Sequence, residues 1–152
     1  AAYKEDLIET GGFNPDFGPG GRTGATGQES EMQRRLRKIG AEAIYLPEAV
    51  VTHCVPAERC NPDWLIKRSF RQGVERGIIA AQEDIPSARA HLRRLKRRNV
   101  LLGLKATLSF NKSTEYLYRF YRERNRGIEH AIKLAASQKL SERPFIEPPH
   151  GL

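Results

Sequence analysis

The sequence predicts a predominantly helical α/β fold, with two short strands in its first half and a long helical extension behind them. Three observations lead there. Apolar residues recur at helical spacing in several long segments, two brief apolar runs flank a Pro-Glu turn, and cations concentrate in the second half. A length of 152 residues fits one domain or a piece of one.

Residues 1–10 read as the end of a strand entering a short helix, closed by Gly11-Gly12. The run NPDFGPGGRTGATG (14–27) is dense in Gly, Pro, Asn and Asp and predicts a flexible loop of the kind that serves as a lid or binding element. QESEMQRRLRKIG follows as a helix: Met32, Leu36 and Ile39 share one face, acids open the first turn, bases close the last, and Gly40 ends it. AEAIYL (41–46) and AVVTH (49–53), separated by Pro47-Glu48, are expected to be buried strands. Asn61-Pro62-Asp63 has the pattern of a helix start, with Asn61 as cap. In that helix Ser69, Gly73, Gly77 and Ala81 recur every four residues, a ridge that lets another element approach the backbone. The chain turns at Asp84-Ile85-Pro86 into a strongly basic helix. A last helix, capped near Ser113-Thr114 and running to about Lys139, carries Leu117, Tyr121, Ile128, Ile132 and Ala135 as its apolar stripe. The tail from Pro144 is proline-rich and expected to be irregular.

Charge divides the chain. Residues 1–57 hold 6 Lys and Arg against 8 Asp and Glu, whereas residues 58–152 hold 20 against 10. A basic second half faces an anion: phosphate, nucleic acid or anionic lipid. No apolar run approaches the ~18–20 residues a membrane-spanning helix needs, and the first residues lack the pattern of a secretory signal. Cys54 and Cys60 do not make a disulfide framework, so a reducing, cytoplasmic setting is expected, with peripheral contact at a membrane.

Residues 11–53 carry an ordered set of short motifs: Gly11-Gly12-Phe13, Gly27-Gln28-Glu29-Ser30-Glu31, Arg35-Leu36, Gly40, Tyr45-Leu46-Pro47-Glu48-Ala49-Val50 and His53. Arg59, Trp64, Arg68 and Gly73 follow. Over roughly residues 1–80 this order resembles the second half of a family 2 glycosyltransferase of the GT-A fold. The resemblance implies a partial Rossmann-like domain over 1–83 (the acceptor and base side), a basic helical extension over 84–143 and an irregular tail over 144–152. It implies inverting transfer of a sugar from a nucleotide-sugar donor to an acceptor hydroxyl, frequently lipid-linked, with Mn²⁺ or Mg²⁺ as cofactor. Such transfer needs a base to take the acceptor proton and cations to hold the departing diphosphate.

By the same resemblance Glu29 stands where the family has its catalytic carboxylate, at a helix N-terminus whose dipole keeps it ionised. The alternative is that Glu29 and Glu31 merely cap the helix. Gly20 and Gly21 on the loop, with Arg59, Trp64 and Arg68 beyond it, are the implied substrate and diphosphate contacts; the arginines equally suit a solvated helix face. His53 is the implied metal or diphosphate ligand, or else a hydrogen-bonded structural residue. The departures are Gln28 in place of the usual first acid, Glu29 in place of the commoner Asp, and no Asp-x-Asp anywhere. The resemblance therefore implies a fragment of a longer enzyme, inactive alone. A second class of function stands beside it: a non-catalytic basic helical module. RAHLRRLKRR (89–98) and the Tyr, Phe and Arg interleaved in EYLYRFYRERNR (115–126) suit anionic headgroups, and with no recognisable nucleic-acid motif they suit nucleic acid less.

Overall fold

The computed structural model describes residues 2–18 and 20–137. Five α-helices follow in order: α1 (Lys4–Glu9), α2 (Gln28–Lys38), α3 (Pro62–Glu83), α4 (Ile85–Ser109) and α5 (Lys112–Ala136), with a 3₁₀ turn at Ala57–Arg59 before α3. Caps set the boundaries. Asn61 Oδ1 accepts from the Trp64 amide (2.9 Å) with Pro62 at the first helical position, and Asp84 accepts from the Ser87 amide at 2.7 Å. Asp84 both ends α3 and starts α4, so these helices meet without a loop. The cap of α5 is Asn111, ahead of the expected Ser113-Thr114.

The bundle is organised by the approach of α3 to α5. Ser69, Gly73, Gly77 and Ala81 are all buried, as the four-residue ridge predicts. A methyl group added at Gly73 would overlap the Arg124 carbonyl, and one at Gly127 would overlap the Phe70 carbonyl. At Gly77 it would lie 2.6 Å from the Ala131 methyl. Backbone therefore meets backbone, closer than any side chain allows. Ser69 satisfies its buried hydroxyl on the Ile66 carbonyl at 2.6 Å.

Two apolar clusters flank this contact. Phe17 and Ala25, from the glycine-rich loop, pack with Val74, Ile78 and Ala131. Ala81, Ala88, Leu92, Ile128 and Ile132 join α3, α4 and α5. Both clusters combine residues from before and after position 84.

Neither expected strand forms. Residues 41–56 form no regular element beyond a turn and are almost wholly exposed, and the isolated Phe17–Ala25 bridge is the β-type pairing found among the described residues. The described residues make a helical bundle and not part of a Rossmann-like α/β domain. The turn at Pro47-Glu48 is present, with Ala49 donating to Leu46. A two-residue hairpin favours left-handed residues at its turn, and proline is fixed at negative φ, so this turn does not favour pairing of the two runs. Nothing else among the described residues pairs with them, and an isolated two-stranded ribbon is marginal at best. The strand expected before α1 is likewise not formed at residues 2–3. Residues from 138 on, including the expected tail at 144–152, lie outside the described residues.

The glycine contact makes a direct prediction. Gly73→Ala should destabilise the fold by roughly 3 kcal/mol, the size of a serious overpacking error. Gly103→Ala meets only the Tyr118 ring, a side chain able to yield, and should be near neutral. Urea midpoints compare the two; equal values would mean that α3 and α5 do not touch as described.

Candidate functional site

The glycine-rich loop is anchored and is not a free lid. Phe17 and Ala25 are buried at its base, where the Gly18 amide donates to the Ala25 carbonyl at 2.9 Å. Gly20 lies on the outer turn in left-handed conformation, and the Gly21 amide donates to the Gly18 carbonyl at 3.1 Å. Arg22 pairs with Asp16 across the turn.

On α2 the two glutamates differ in an unexpected way. Glu29 is exposed, with a long 3.5 Å contact from the Gln28 amide. Glu31 is buried and takes a two-pronged grip from Arg35, Nε to Oε1 at 2.9 Å and Nη2 to Oε2 at 2.8 Å. Arg35 also donates to the carbonyls of Thr10 and Gly12, so this pair ties α2 to the Gly11-Gly12 turn. Removing one partner of such a buried pair costs about 3–5 kcal/mol. Glu31 thus carries fold stability, and its spacing to Arg35, i to i+4, was visible in the sequence.

Arg59, Trp64 and Arg68 do come together. The guanidinium of Arg68 lies 5.1 Å from the Trp64 ring centre and that of Arg59 5.8 Å, so one indole is faced by two cations. The Asn61 cap fixes this corner, because its amide also donates to the Glu58 carbonyl at 2.6 Å. Among the described residues no hydrogen bond or ion pair joins Glu29 or His53 to this cluster. His53 stands exposed on the irregular segment, and Cys54 and Cys60 are exposed free thiols. No group of three His, Cys, Asp or Glu side chains forms among the described residues.

A second feature lies at the α4–α5 hairpin, where two residues, Phe110 and Asn111, join 25-residue helices. Val100, Leu101, Leu104 and Leu108 share a stripe within about 100° of the α4 circumference. All are exposed, as is Leu117 on α5. Phe110 is 94% exposed and left-handed, with φ 49°. Aromatics rarely take that conformation. Beneath the stripe a cavity of about 560 Å³ opens between the helices, lined by Leu95, Leu102, Tyr121 and Arg124 among others, with Leu101 and Leu117 shared between cavity and stripe.

Along α5, guanidinium groups stack on rings: Arg119 on Tyr116, Arg122 on Tyr118, and Arg124 on Tyr121 at 4.5 Å. Burial, and then the nearby Arg76, push the Arg124 pKa below its ordinary value, while Tyr121 opposes the shift. Glu129 is pulled below the usual carboxylate range chiefly by its hydrogen bond from Lys96 at 2.7 Å. The interleaving of Tyr, Phe and Arg along 115–126 is read from the sequence, whereas the exposed leucine stripe of α4 and the cavity are not. The available signals were Asn125 interrupting the Tyr121–Ile128–Ile132 stripe and Asn99 interrupting Leu92–Leu95–Leu102.

A scan against protein-family models finds no match, and neither does a search of curated proteins or of solved structures. No helix among the described residues is long and apolar enough to cross a membrane.

Proposed function

We propose that the chain is a basic helical module that docks peripherally on an anionic membrane surface through the α4–α5 hairpin. The observation that carries this is the exposed apolar stripe ending at Phe110, on helices rich in Arg and Lys. Apolar side chains held in water beside cations match the interfacial region of a bilayer, where acyl chains lie under anionic headgroups. Each Lys or Arg near such a surface contributes about 1 kcal/mol, and each fully buried Leu or Phe about 1.5–3 kcal/mol. The excess of 20 cations over 10 anions from residue 58 onward supplies the charge complementarity.

A second reading is favoured by the Arg59–Trp64–Arg68 cluster. It is the sugar-transfer activity that the resemblance implies, as part of a longer glycosyltransferase with a nucleotide-sugar donor and a lipid-linked acceptor hydroxyl. Two guanidinium groups around one ring suit the oxygens of a diphosphate and the face of a base. In that reading Glu29 takes the acceptor proton. Titration of the chain with a nucleoside diphosphate should show weak binding that Arg68→Ala reduces about tenfold. Binding indifferent to Arg68 would remove the reading.

The membrane proposal is tested at Phe110. Phe110→Gly should raise fold stability by about 1 kcal/mol, because glycine takes the left-handed position without strain. The same change should weaken partition onto vesicles of mixed phosphatidylglycerol and phosphatidylcholine roughly tenfold, by removing one buried ring. Partition should also fall with added salt and vanish on phosphatidylcholine alone. Unchanged partition by a more stable Phe110→Gly protein would contradict the proposal.

A further inference from the structure

Three residues that line the α4–α5 cavity carry buried polar atoms that no group among the described residues answers. Asn99 and Asn125 are at least nine-tenths buried, and Oδ1 of each has no hydrogen-bond partner among the described residues. Nε of Arg124 is also buried without an acceptor. All three residues line the same cavity. Buried polar groups are almost always satisfied, so three orphans on the residues that line one space mark a place where a guest, reached by a turn of these side chains, supplies the partners. A side-chain amide can turn either its NH₂ or its carbonyl inward, so both asparagines can donate to the same guest as Arg124.

The rest of the lining defines the guest. Arg98 and Lys105 stand exposed at the rim, giving cations at the mouth as well as inside. Leu95, Leu101, Leu102 and Leu117 form apolar wall, and through Leu101 and Leu117 that wall runs without a break onto the exposed stripe. Among the described residues no carboxylate lines the cavity. At about 560 Å³ it falls within the ~300–1,000 Å³ typical of small-molecule sites.

We propose that this cavity binds one anionic amphiphile, its phosphate head between Arg124, Asn99 and Asn125 and its hydrocarbon chain leaving over Leu101 and Leu117. These atoms are closed off as the side chains stand, so binding turns Arg124 to bring its Nε–H onto a phosphate oxygen beside the Tyr121 ring and turns the asparagine amides to donate to the other oxygens. The chain lies in the leucine channel and emerges on the face that the membrane reading places against the bilayer. The site rests on that reading for the source of its ligand, a lipid, but its chemistry is complete within the hairpin.

The test uses the described protein in solution with dodecyl phosphate, titrated by calorimetry below its micelle concentration. Saturable binding at one molecule per chain is expected. Inorganic phosphate (the head alone) and dodecanol (the chain alone) should each bind at least tenfold more weakly. Asn125→Leu should lose at least tenfold in affinity while raising the melting temperature, because it removes an orphaned amide from an apolar setting. Leu101→Glu, at an exposed position where folding is not at stake, should lose as much by placing an anion at the mouth. Inorganic phosphate binding as tightly as dodecyl phosphate would assign the site to a free anion and overturn the amphiphile. Binding unaffected by both substitutions would overturn the cavity. If the protein partitions onto anionic vesicles yet takes up dodecyl phosphate without saturation, this inference falls and the membrane reading stands. Saturable, Leu101-dependent uptake supports the site even where vesicle partition fails.

Discussion

The close approach of α3 to α5 is the constraint on which the rest depends. Three glycines, Gly73, Gly77 and Gly127, remove the side chains that would hold the helices apart, so carbonyls of one helix sit where the other has no Cβ. Glycine inside a helix costs about 1 kcal/mol of propensity at each position, a cost the close packing offsets. Once α5 is seated, Ile128 and Ile132 are fixed as the surface that receives Leu92 and Ala88 of α4. Val74, Ile78 and Ala131 are fixed as the floor for Phe17 of the loop.

That arrangement explains why the hairpin tip is left bare. α4 and α5 are joined by only two residues, and their shared core lies toward the far end, around Ala88 and Leu92. Toward Phe110 the start of α3 reaches α5 at the Arg119–Asp63 pair, while the exposed leucines of α4 face water or the cavity. The same region carries arginines stacked on aromatic rings, which holds cations close to apolar surface while they remain charged. Opposite physical preferences are thus concentrated on one end of one hairpin, and a bilayer interface satisfies both.

Much of the helical frame was legible in the sequence because its signals are local. The Asn61-Pro62 start, the small-residue ridge and the turn at Asp84 follow from capping and spacing. The strands were misread because aliphatic content reports what a segment can bury and not whether a partner exists. Val50 and Val51 read as core and stand more than four-fifths exposed. Of the expected site, the grouping of Arg59, Trp64 and Arg68 was recoverable, since five- and four-residue spacings bring them to one corner. The roles of Glu29 and Glu31 were not: which glutamate turns inward depends on the Thr10 and Gly12 carbonyls, more than twenty residues from Arg35. The cavity was hidden for a similar reason, because its orphaned atoms come from two helices and only their packing shows that nothing answers them.

The most direct measurement is the immersion depth of the hairpin in the presence of anionic vesicles. Nitroxide labels at the exposed positions 104, 108 and 110, and at 76 on α3 as reference, report their surroundings by electron paramagnetic resonance through collision with oxygen or with a water-soluble nickel complex. The account predicts that labels at 104, 108 and 110 become oxygen-accessible and shielded from nickel on adding vesicles, with the deepest immersion at 110, while position 76 stays in water. Labels at the tip that remain as nickel-accessible as position 76 would contradict it.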